Sequence, residues 1–311
     1  MKDKCLYCYK PVEKGQDFHK KCSLAFFGIF PAPKIPYTIH QMDELAKKIV
    51  DSRISVPGIQ PKLSMSLIKK TDKRLTVVGA LGGQFIFKPP SDKYREMPEN
   101  EHLTMRIAEV FGIRVVPASL IRLASGEISY ITKRIDRTDD GNKIHMIDMF
   151  QITEAFDKYK SSMEKVGKAI DSYSDNTFLD KIFYFEMVLM SFLTGNNDMH
   201  LKNFSMIKKA SGWQLSPAYD LLNVAIILPD DTDELALTLA GKRKKLKRQH
   251  FEQFGKNLGL NNKQITNTFR RFLVNKPKAM DLIDQSFLSN EMKIAYKELM
   301  EKRYQQIALR L

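Results

Sequence analysis

Hydrophobic and polar residues alternate along the first half of the chain with the period of two that is typical of β-strands. The alternation occupies residues 62–68, 74–81 and 83–90, and turn-forming segments separate these runs. We expect the three runs to form an antiparallel meander. Residues 114–123 and 127–136 have the same character. The sequence therefore predicts a lobe built on about five strands.

Helical spacing of apolar residues marks other parts of the chain. Residues 98–113 begin with a proline and acidic residues and place their apolar side chains on one face, which predicts a helix within the strand-rich lobe. Residues 38–50 predict a shorter helix. Residues 176–195 are apolar nearly all round and end at Gly195, so we expect the central helix of a second lobe. Two or three more helices are expected over 247–311.

Three regions follow from these patterns. Residues 1–36 form a short segment rich in cysteine and proline, residues 37–137 a β-rich N-lobe, and residues 138–311 a mainly helical C-lobe. Strands that precede most of the helices, rather than alternating with them, predict an α+β fold with two lobes.

The composition is that of a soluble globular protein. The 311 residues are 43% hydrophobic and 28% charged, which excludes the disordered and fibrous classes. Fifty basic and 36 acidic residues give a net charge of +14, a field that attracts phosphates, nucleic acid or an acidic partner. No run approaches the roughly 18 to 20 apolar residues of a membrane helix, and the N-terminus lacks the apolar core of a secretion signal. We therefore expect a cytoplasmic protein that does not bind a membrane.

A polar run, "NNDMHLKN", interrupts the apolar sequence just after the predicted central helix. The spacing of five between Asp198 and Asn203 matches the catalytic loop of protein kinases. There the aspartate accepts the proton of the attacking hydroxyl, and the amide oxygen reaches a magnesium ion bound to ATP. Lys202 would lie near the charge that develops on the transferred phosphoryl group. The alternative is a polar loop that caps a helix end.

Two further residues have the chemistry of a phosphoryl-transfer site. Asp220 lies 17 residues after Asn203, at the end of a predicted hairpin, where a second magnesium ligand is needed. Lys88 closes an apolar strand, and a buried ammonium requires an anion such as an ATP phosphate, Glu99 or Glu101. The alternatives are an ordinary turn aspartate and a lysine at a strand edge.

Six ordered motifs together resemble the HipA family of serine/threonine kinase toxins over roughly residues 40 to 310. They are "SVPGIQPKLSM", "FIFKPP", "ENEHLTMRIAEVFG", "KRIDR", "GNNDMHLKNFS" and "SPAYDLLN". Because the chain begins directly with the cysteine-bearing segment, it is most similar to HipT, the short kinase of HipB/HipS/HipT toxin–antitoxin modules. The resemblance implies a two-lobed protein-kinase-like fold and ATP- and Mg²⁺-dependent phosphorylation of protein Ser or Thr.

The resemblance also implies roles for matching residues. Asp198 becomes the catalytic base, Asn203 and Asp220 the magnesium ligands, and Lys88 the lysine that binds ATP phosphates. The remaining implied nucleotide contacts are a phosphate loop of Pro57, Gly58, Ile59, Gln60, Pro61 and Lys62, a hinge of Lys133, Arg134 and Ile135, and the residues His200, Lys202 and Tyr219.

Regulation and partners are implied by the same resemblance. Ser55 matches the serine that the family autophosphorylates, while Pro57 stands where HipT-type loops usually have a second serine. The implied partners are HipS-like and HipB-like antitoxins, DNA only through a DNA-binding antitoxin, and an aminoacyl-tRNA synthetase as substrate. Two other functions remain open: a catalytically inactive kinase-like module that binds antitoxin or nucleic acid, and a small-molecule kinase on the same scaffold.

The N-terminal segment contains a separate candidate metal site. Cys5, Cys8, His19 and Cys22 have the ligand types and pair spacing suited to tetrahedral Zn²⁺. The ion would stabilise a segment that is too short to form a hydrophobic core of its own. The alternative is three reduced cysteines that pack as small hydrophobic side chains.

Overall fold

The structure, a computed structural model, describes residues 3–42, 44–45, 62–69, 73–78, 82–138 and 140–308. The chain divides into two compact units. The first contains Met1–His102, Val116–Lys143 and Gln285–Phe287, and the second contains Leu103–Val115, Ile144–Asp284 and Leu288–Leu311. Within the described residues, no helix is both long enough and apolar enough to cross a membrane.

A five-stranded antiparallel sheet forms the centre of the first unit. Its strands are β1 (Leu63–Ile68), β2 (Arg74–Val77), β3 (Phe85–Lys88), β4 (Ala118–Arg122) and β5 (Ile128–Lys133). The order across the sheet is β2-β1-β3-β5-β4. All five predicted strands are thus confirmed, with shorter limits than the sequence patterns suggested.

The predicted meander of the first three strands is wrong. Strand β3 pairs with β1, in register from Leu63 with Phe87, and not with β2. The first three residues of β1, Leu63 to Met65, are all buried, which suits a strand with neighbours on both sides. Strand β2 is four residues long and begins with the exposed Arg74, which suits an edge.

The N-terminal segment packs against this sheet. Its helix α1 (Lys20–Phe27) ends at Gly28, whose φ of +72° is the left-handed conformation that glycine adopts without steric cost. The ring centroids of Phe26 and Phe27 lie 5.9 and 6.2 Å from that of Phe85 in β3. The segment therefore covers part of the strand that ends at Lys88.

The helix predicted over 98–113 is confirmed as α2 (Met97–Val110), and Gly112 follows it with a φ of +79°. It does not lie wholly in the strand-rich lobe as predicted, because the residues from Leu103 onward belong to the second unit. Its apolar side chains, such as Leu103 and Ile107, are fully buried. Of the helix predicted over 38–50, residues 39–42 and 44–45 are helical, and 46–50 lie outside the described residues.

The second unit is mainly helical, as predicted. Its helices are α3 (Met149–Ile152), α4 (Met163–Tyr173), α5 (Thr177–Leu193), α6 (Arg248–Asn257), α7 (Asn262–Gln285) and α8 (Asn290–Gln306). A small antiparallel sheet accompanies them, with β6 (Met146–Asp148), β7 (Ser205–Lys209) and β8 (Gly212–Leu215) in chain order. The predicted hairpin after Asn203 is therefore confirmed as β7 and β8.

Helix α5 is the buried centre of this unit, because every residue from Phe183 to Leu193 is buried. The chain leaves it through Gly195, whose φ is +70°. A Cβ there would lie 2.3 Å from Cδ2 of Leu299 and 2.6 Å from Oδ1 of Asn223, so no larger residue fits without displacing a neighbour. The turn that starts the polar loop thus has a fixed position on a rigid helix.

The hairpin is tied to the same helix by a buried carboxylate. Asp180 in α5 accepts hydrogen bonds from the backbone N–H of Leu215 (2.6 Å) and from Oγ of Ser174 (2.7 Å). A backbone hydrogen bond from Ala218 to the carbonyl of Arg114 (2.8 Å) fixes the segment after β8. The end of β8 and the segment that leads to Asp220 are therefore held by these contacts.

Candidate active site

The loop from Asp198 to Asn203 is closed by its own hydrogen bonds. The side-chain amide Nδ2 of Asn203 donates to the backbone carbonyl of Asp198 (3.0 Å), and Leu201–Asn203 forms a single 3₁₀ turn. Because Nδ2 points to the Asp198 carbonyl, Oδ1 points away from it. Such an amide oxygen is a ligand that Mg²⁺ prefers. Asn203 is 7% exposed, and this hydrogen bond is what assigns the orientation of its amide.

A tyrosine from the segment between α3 and α4 holds the Asp198 side chain. The hydroxyl of Tyr159 donates to Oδ1 of Asp198 (2.6 Å). Burial, followed by the hydrogen bond to Asp198, raises the pKa of Tyr159 well above its usual range, so the hydroxyl keeps its proton. With Oδ1 accepting this hydrogen bond, the second carboxylate oxygen Oδ2 is the one that could act as a base.

His200 is held in one tautomer by the preceding residue of that segment. Nζ of Lys158 lies 2.9 Å from Nε2 of His200, and because an ammonium can only donate, Nε2 accepts and the proton of a neutral ring lies on Nδ1. Burial lowers the pKa of His200, with the Lys158 charge adding to this effect and Asp198 and Asp220 opposing it. Nδ1 is buried without a hydrogen-bond partner among the residues described, and a neutral N–H donor suits an anionic ligand.

Asp220 follows the hairpin in an uncommon backbone conformation. Its φ is +55°, in the left-handed region where Asp is one of the few tolerated side chains. The preceding Tyr219 donates to the carbonyl of Lys202 (3.0 Å) and lies 2.5 Å from Oγ of Ser205, which ties this segment to the loop. Because Asp220 directly follows Tyr219, these two contacts hold its backbone near the loop. Asp198, His200, Asn203 and Asp220 therefore converge in the second unit.

Lys88 is paired with Glu101 in the first unit. Nζ of Lys88 lies 2.6 Å from Oε1 of Glu101, and the two side chains are 5% and 3% exposed. The ammonium also lies 5.3 Å from the ring centroid of Tyr130. Of the two glutamates that the sequence offered as partners, the structure selects Glu101. A lysine–glutamate ion pair between a sheet strand and the following helix is the arrangement that protein kinases use.

Comparison with known proteins places the chain in a family. A model of the HipA-like C-terminal domain matches residues 54–280. The chain belongs to the HipA-like C-terminal domain family. That matched range contains Lys88, Asp198, Asn203 and Asp220.

Individual relatives of this HipA-like chain bear kinase names. A Haemophilus influenzae protein named "Putative kinase" is 29% identical over 287 residues, with 82% of each chain covered. The serine/threonine-protein kinase toxin HipA of Shewanella oneidensis is 26% identical over 208 residues, which is 60% of this chain and 47% of that protein. The chain thus spans most of the first relative and about half the length of the second.

A solved structure confirms the predicted α+β, HipA-like fold. The Shewanella oneidensis HipA in complex with HipB and operator DNA superposes with a TM-score of 0.70 at 21% identity. The match covers 90% of this chain and 73% of that one. At this identity the likeness concerns the fold.

The other predicted site residues of the HipA-like chain lie in several places. Lys202 is exposed, with Nζ 4.7 Å from the ring centroid of Phe150. Arg134, at the end of β5, pairs with Asp136 through hydrogen bonds of 2.9 and 2.5 Å. The nucleotide-contact roles of Lys202 and of the predicted hinge, residues 133–135, stay predictions.

Most of the predicted phosphate loop lies outside the described residues. This applies to Ser55, Pro57, Gly58, Ile59, Gln60 and Pro61. Lys62 is described and is a half-buried residue just before β1.

Sequence reasoning missed Tyr159 and Lys158. They lie 39 and 42 residues before their partners Asp198 and His200, in the irregular stretch between α3 and α4. The only local signal is a pair of polar residues in a segment without helical or strand periodicity, and that signal does not indicate a partner.

We expect Tyr159→Phe to lower the turnover number of phosphoryl transfer about tenfold with little change in the KM for ATP. Without the hydroxyl, the Asp198 carboxylate loses its fixed orientation, and misplacement of a catalytic group reduces the rate more than binding. Steady-state kinetics on purified protein measure both constants. Tyr173→Phe, a change at an exposed tyrosine of α4, is the matched control and should retain wild-type turnover. Equal turnover of the two variants would contradict an orienting role for Tyr159.

Glu99 should make the stability of the chain pH-dependent. Burial, with a smaller effect of Glu96, raises its pKa to about 7 from an ordinary 4.5. Between these values the unfolded state loses the proton that the folded state keeps. The free energy of unfolding should therefore fall as the pH rises from about 4.5 to 7, by on the order of 3 kcal/mol.

Thermal unfolding at pH 5, 6, 7 and 8 tests this expectation. Glu99→Gln should raise the unfolding midpoint at pH 8 and flatten the difference between pH 5 and pH 7. Glu298→Gln, at an exposed helical glutamate, should leave the wild-type profile intact. A Glu99→Gln profile that is parallel to wild type would show that Glu99 ionises normally in the folded chain.

Proposed function

We propose that this chain is an ATP- and Mg²⁺-dependent serine/threonine protein kinase that acts as the toxin of a toxin–antitoxin system. The observation that supports the proposal most strongly is the catalytic loop, in which Tyr159 orients Asp198 and Asn203 turns its amide oxygen away from the Asp198 carbonyl. The kinase and toxin names of its relatives agree with this chemistry.

Each of these residues would have a defined part in the proposed reaction. Mg²⁺·ATP supplies the transferable phosphoryl group and the ion that neutralises its oxygens. Asn203 and Asp220 would hold the ion through their side-chain oxygens, which suits a hard divalent cation. Lys88 would neutralise phosphate charge while Glu101 keeps it in place. Asp198 would accept the proton of the target hydroxyl, so that the attacking oxygen forms its bond to phosphorus as the bond to the leaving ADP oxygen breaks.

His200 supports the nucleotide-binding part of the proposal. Its neutral ring presents the Nδ1 proton as a donor, while Lys158 fixes the other nitrogen. Such an uncharged N–H donor could form a hydrogen bond to a phosphate oxygen of the nucleotide.

We further propose that the chain is a HipT-type toxin whose substrate is an aminoacyl-tRNA synthetase, an enzyme of the cytoplasm. The proposal includes inhibition by HipB-like and HipS-like antitoxins, contact with DNA only through such an antitoxin, and autophosphorylation of Ser55. The Shewanella oneidensis HipA was solved with HipB and operator DNA, which supports an antitoxin partner of that kind. A second proposed cofactor, Zn²⁺, would be structural and bind the N-terminal cysteine and histidine cluster.

A labelling experiment tests the proposed function. Purified wild-type chain is incubated with γ-labelled ATP, Mg²⁺ and a bacterial lysate, and phosphopeptides are identified by mass spectrometry. We expect a labelled synthetase and a labelled Ser55, both absent with Asp198→Asn. Ser55→Ala should lose the self-label and still label the synthetase. If wild type labels neither protein yet binds an antitoxin, the inactive binding module is the correct function, and label in metabolites alone would indicate a small-molecule kinase.

A further inference from the structure

We propose that the N-terminal segment binds one Zn²⁺ ion through Cys5, Cys8, His19 and Cys22, and that this ion holds the segment against the strand that ends at Lys88. The four ligand atoms all lie within 4.8 Å of one another. Zinc bound tetrahedrally to thiolates at about 2.3 Å and to imidazole at about 2.0 Å separates its ligand atoms by about 3.4 to 3.8 Å. The distances from Nδ1 of His19 to Sγ of Cys8 (3.4 Å) and of Cys22 (3.7 Å) agree with that geometry.

The orientation of His19 is the second observation that points to a metal. Its Nε2 lies 2.8 Å from the carbonyl oxygen of Pro11, and because a carbonyl can only accept, the ring proton lies on Nε2. Nδ1 then presents its lone pair toward the sulfur atoms. A hydrogen bond from the second ring nitrogen to a carbonyl is the usual support for a histidine that binds a metal.

The backbone brings the ligands together from two short pieces of chain. Cys5 and Cys8 lie on a tight turn, in which the N–H of Tyr9 donates to the carbonyl of Cys5 (2.9 Å). His19 precedes α1, and the N–H of Cys22 in its first turn donates to the carbonyl of His19 (3.0 Å). Two pairs of ligands, one from a turn and one from a helix start, are the arrangement of many structural zinc sites.

A cluster of reduced thiols without a metal ion explains the arrangement less well. A thiol can donate a weak hydrogen bond to the unprotonated Nδ1 of His19, but a single acceptor nitrogen does not account for three sulfur atoms gathered within 4.8 Å of it and of one another. All three are free thiols, so a disulfide does not account for their proximity. A set of three sulfurs and one nitrogen favours zinc over harder cations such as Mg²⁺ or Ca²⁺.

The site is connected to the sheet of the same unit. Phe26 and Phe27, four and five residues after Cys22, contact Phe85 of β3. On the other side of the cluster, the carbonyl of Leu6 accepts a hydrogen bond of 3.2 Å from the N–H of Leu120 in β4. An ion that fixes α1 to the turn at Cys5 to Cys8 therefore stabilises the packing of α1 on β3. This proposal does not depend on whether the chain is a kinase.

Metal content measured on the tag-free chain tests the proposal. Elemental mass spectrometry of wild type should give about one zinc per chain. Cys8→Ser and His19→Ala should each reduce it below about a tenth, while His40→Ala, at an exposed histidine outside the cluster, should retain it. Since Cys8 is only half-buried, the serine variant should fold without the ion.

Two measurements on wild type keep the test independent of the variants. Cobalt added to the chelated chain should produce the intense visible bands of a tetrahedral site together with sulfur-to-cobalt charge transfer. Chelation should also lower the thermal midpoint by several degrees, and added zinc should restore it. Wild type that contains no zinc and gives no tetrahedral cobalt spectrum would overturn the proposal, as would iron in place of zinc.

Discussion

Asp198→Asn should reduce phosphoryl transfer by about 10³-fold while the chain remains folded and still binds ATP. The substitution replaces one carboxylate oxygen by an amide nitrogen that cannot accept a proton. Removal of a positioned general base typically costs between about 10² and 10⁴ in rate. The Tyr159 hydroxyl, which is 2.6 Å from Oδ1, can donate equally to an amide oxygen, so the loop should keep its structure.

The measurement is single-turnover transfer of labelled phosphate with saturating Mg²⁺·ATP, together with a nucleotide-binding titration. Asp281→Asn is the matched control, because it makes the same chemical change at an exposed aspartate of α7. Growth inhibition on expression should be lost with Asp198→Asn and retained with Asp281→Asn. An Asp198→Asn chain that transfers phosphate at the wild-type rate would show that another group accepts the proton.

The spacing of five between Asp198 and Asn203 is visible in the sequence because both residues lie in one short loop. The same is true of the apolar run that predicts α5 and of the hairpin that follows. Local patterns such as these depend on hydrogen bonds between residues close in the chain. These local patterns predicted the loop that carries Asp198 and Asn203 and the hairpin that precedes Asp220.

Pairing between distant segments could not be predicted in this way. Strand β1 is the neighbour of both β2 and β3, and alternation within each strand does not state which strands are adjacent. Tyr159 and Lys158 were missed for a similar reason, since an irregular segment has no periodicity that indicates its contacts. The sequence also left Lys88 with two candidate partners. Glu101, buried at 3% exposure, is the one that pairs, while Glu99 remains half-buried and has a raised pKa.

Lys88→Met should reduce phosphoryl transfer by about 10²-fold or more and should also destabilise the chain. The ammonium is proposed to neutralise phosphate charge, and loss of one such electrostatic group typically costs about 10² to 10³ in rate. The stability effect has a different cause. Glu101 would keep a buried carboxylate that has lost the ammonium 2.6 Å away, and removing one partner of a buried ion pair costs about 3 to 5 kcal/mol.

A double variant separates these two effects. Lys88→Met combined with Glu101→Gln removes both charges, so the unfolding midpoint should recover most of its loss while phosphoryl transfer stays as low as in Lys88→Met. Lys297→Met is the control for ion pairing itself, because Lys297 pairs with Asp284 in a more exposed pair, 33% and 58% exposed, and this pair should contribute less than about 1 kcal/mol. Recovery of activity in the double variant would show that Lys88 acts only through the stability of its strand. Persistent instability would instead show that the buried pair is needed for folding, whether or not the lysine meets a nucleotide.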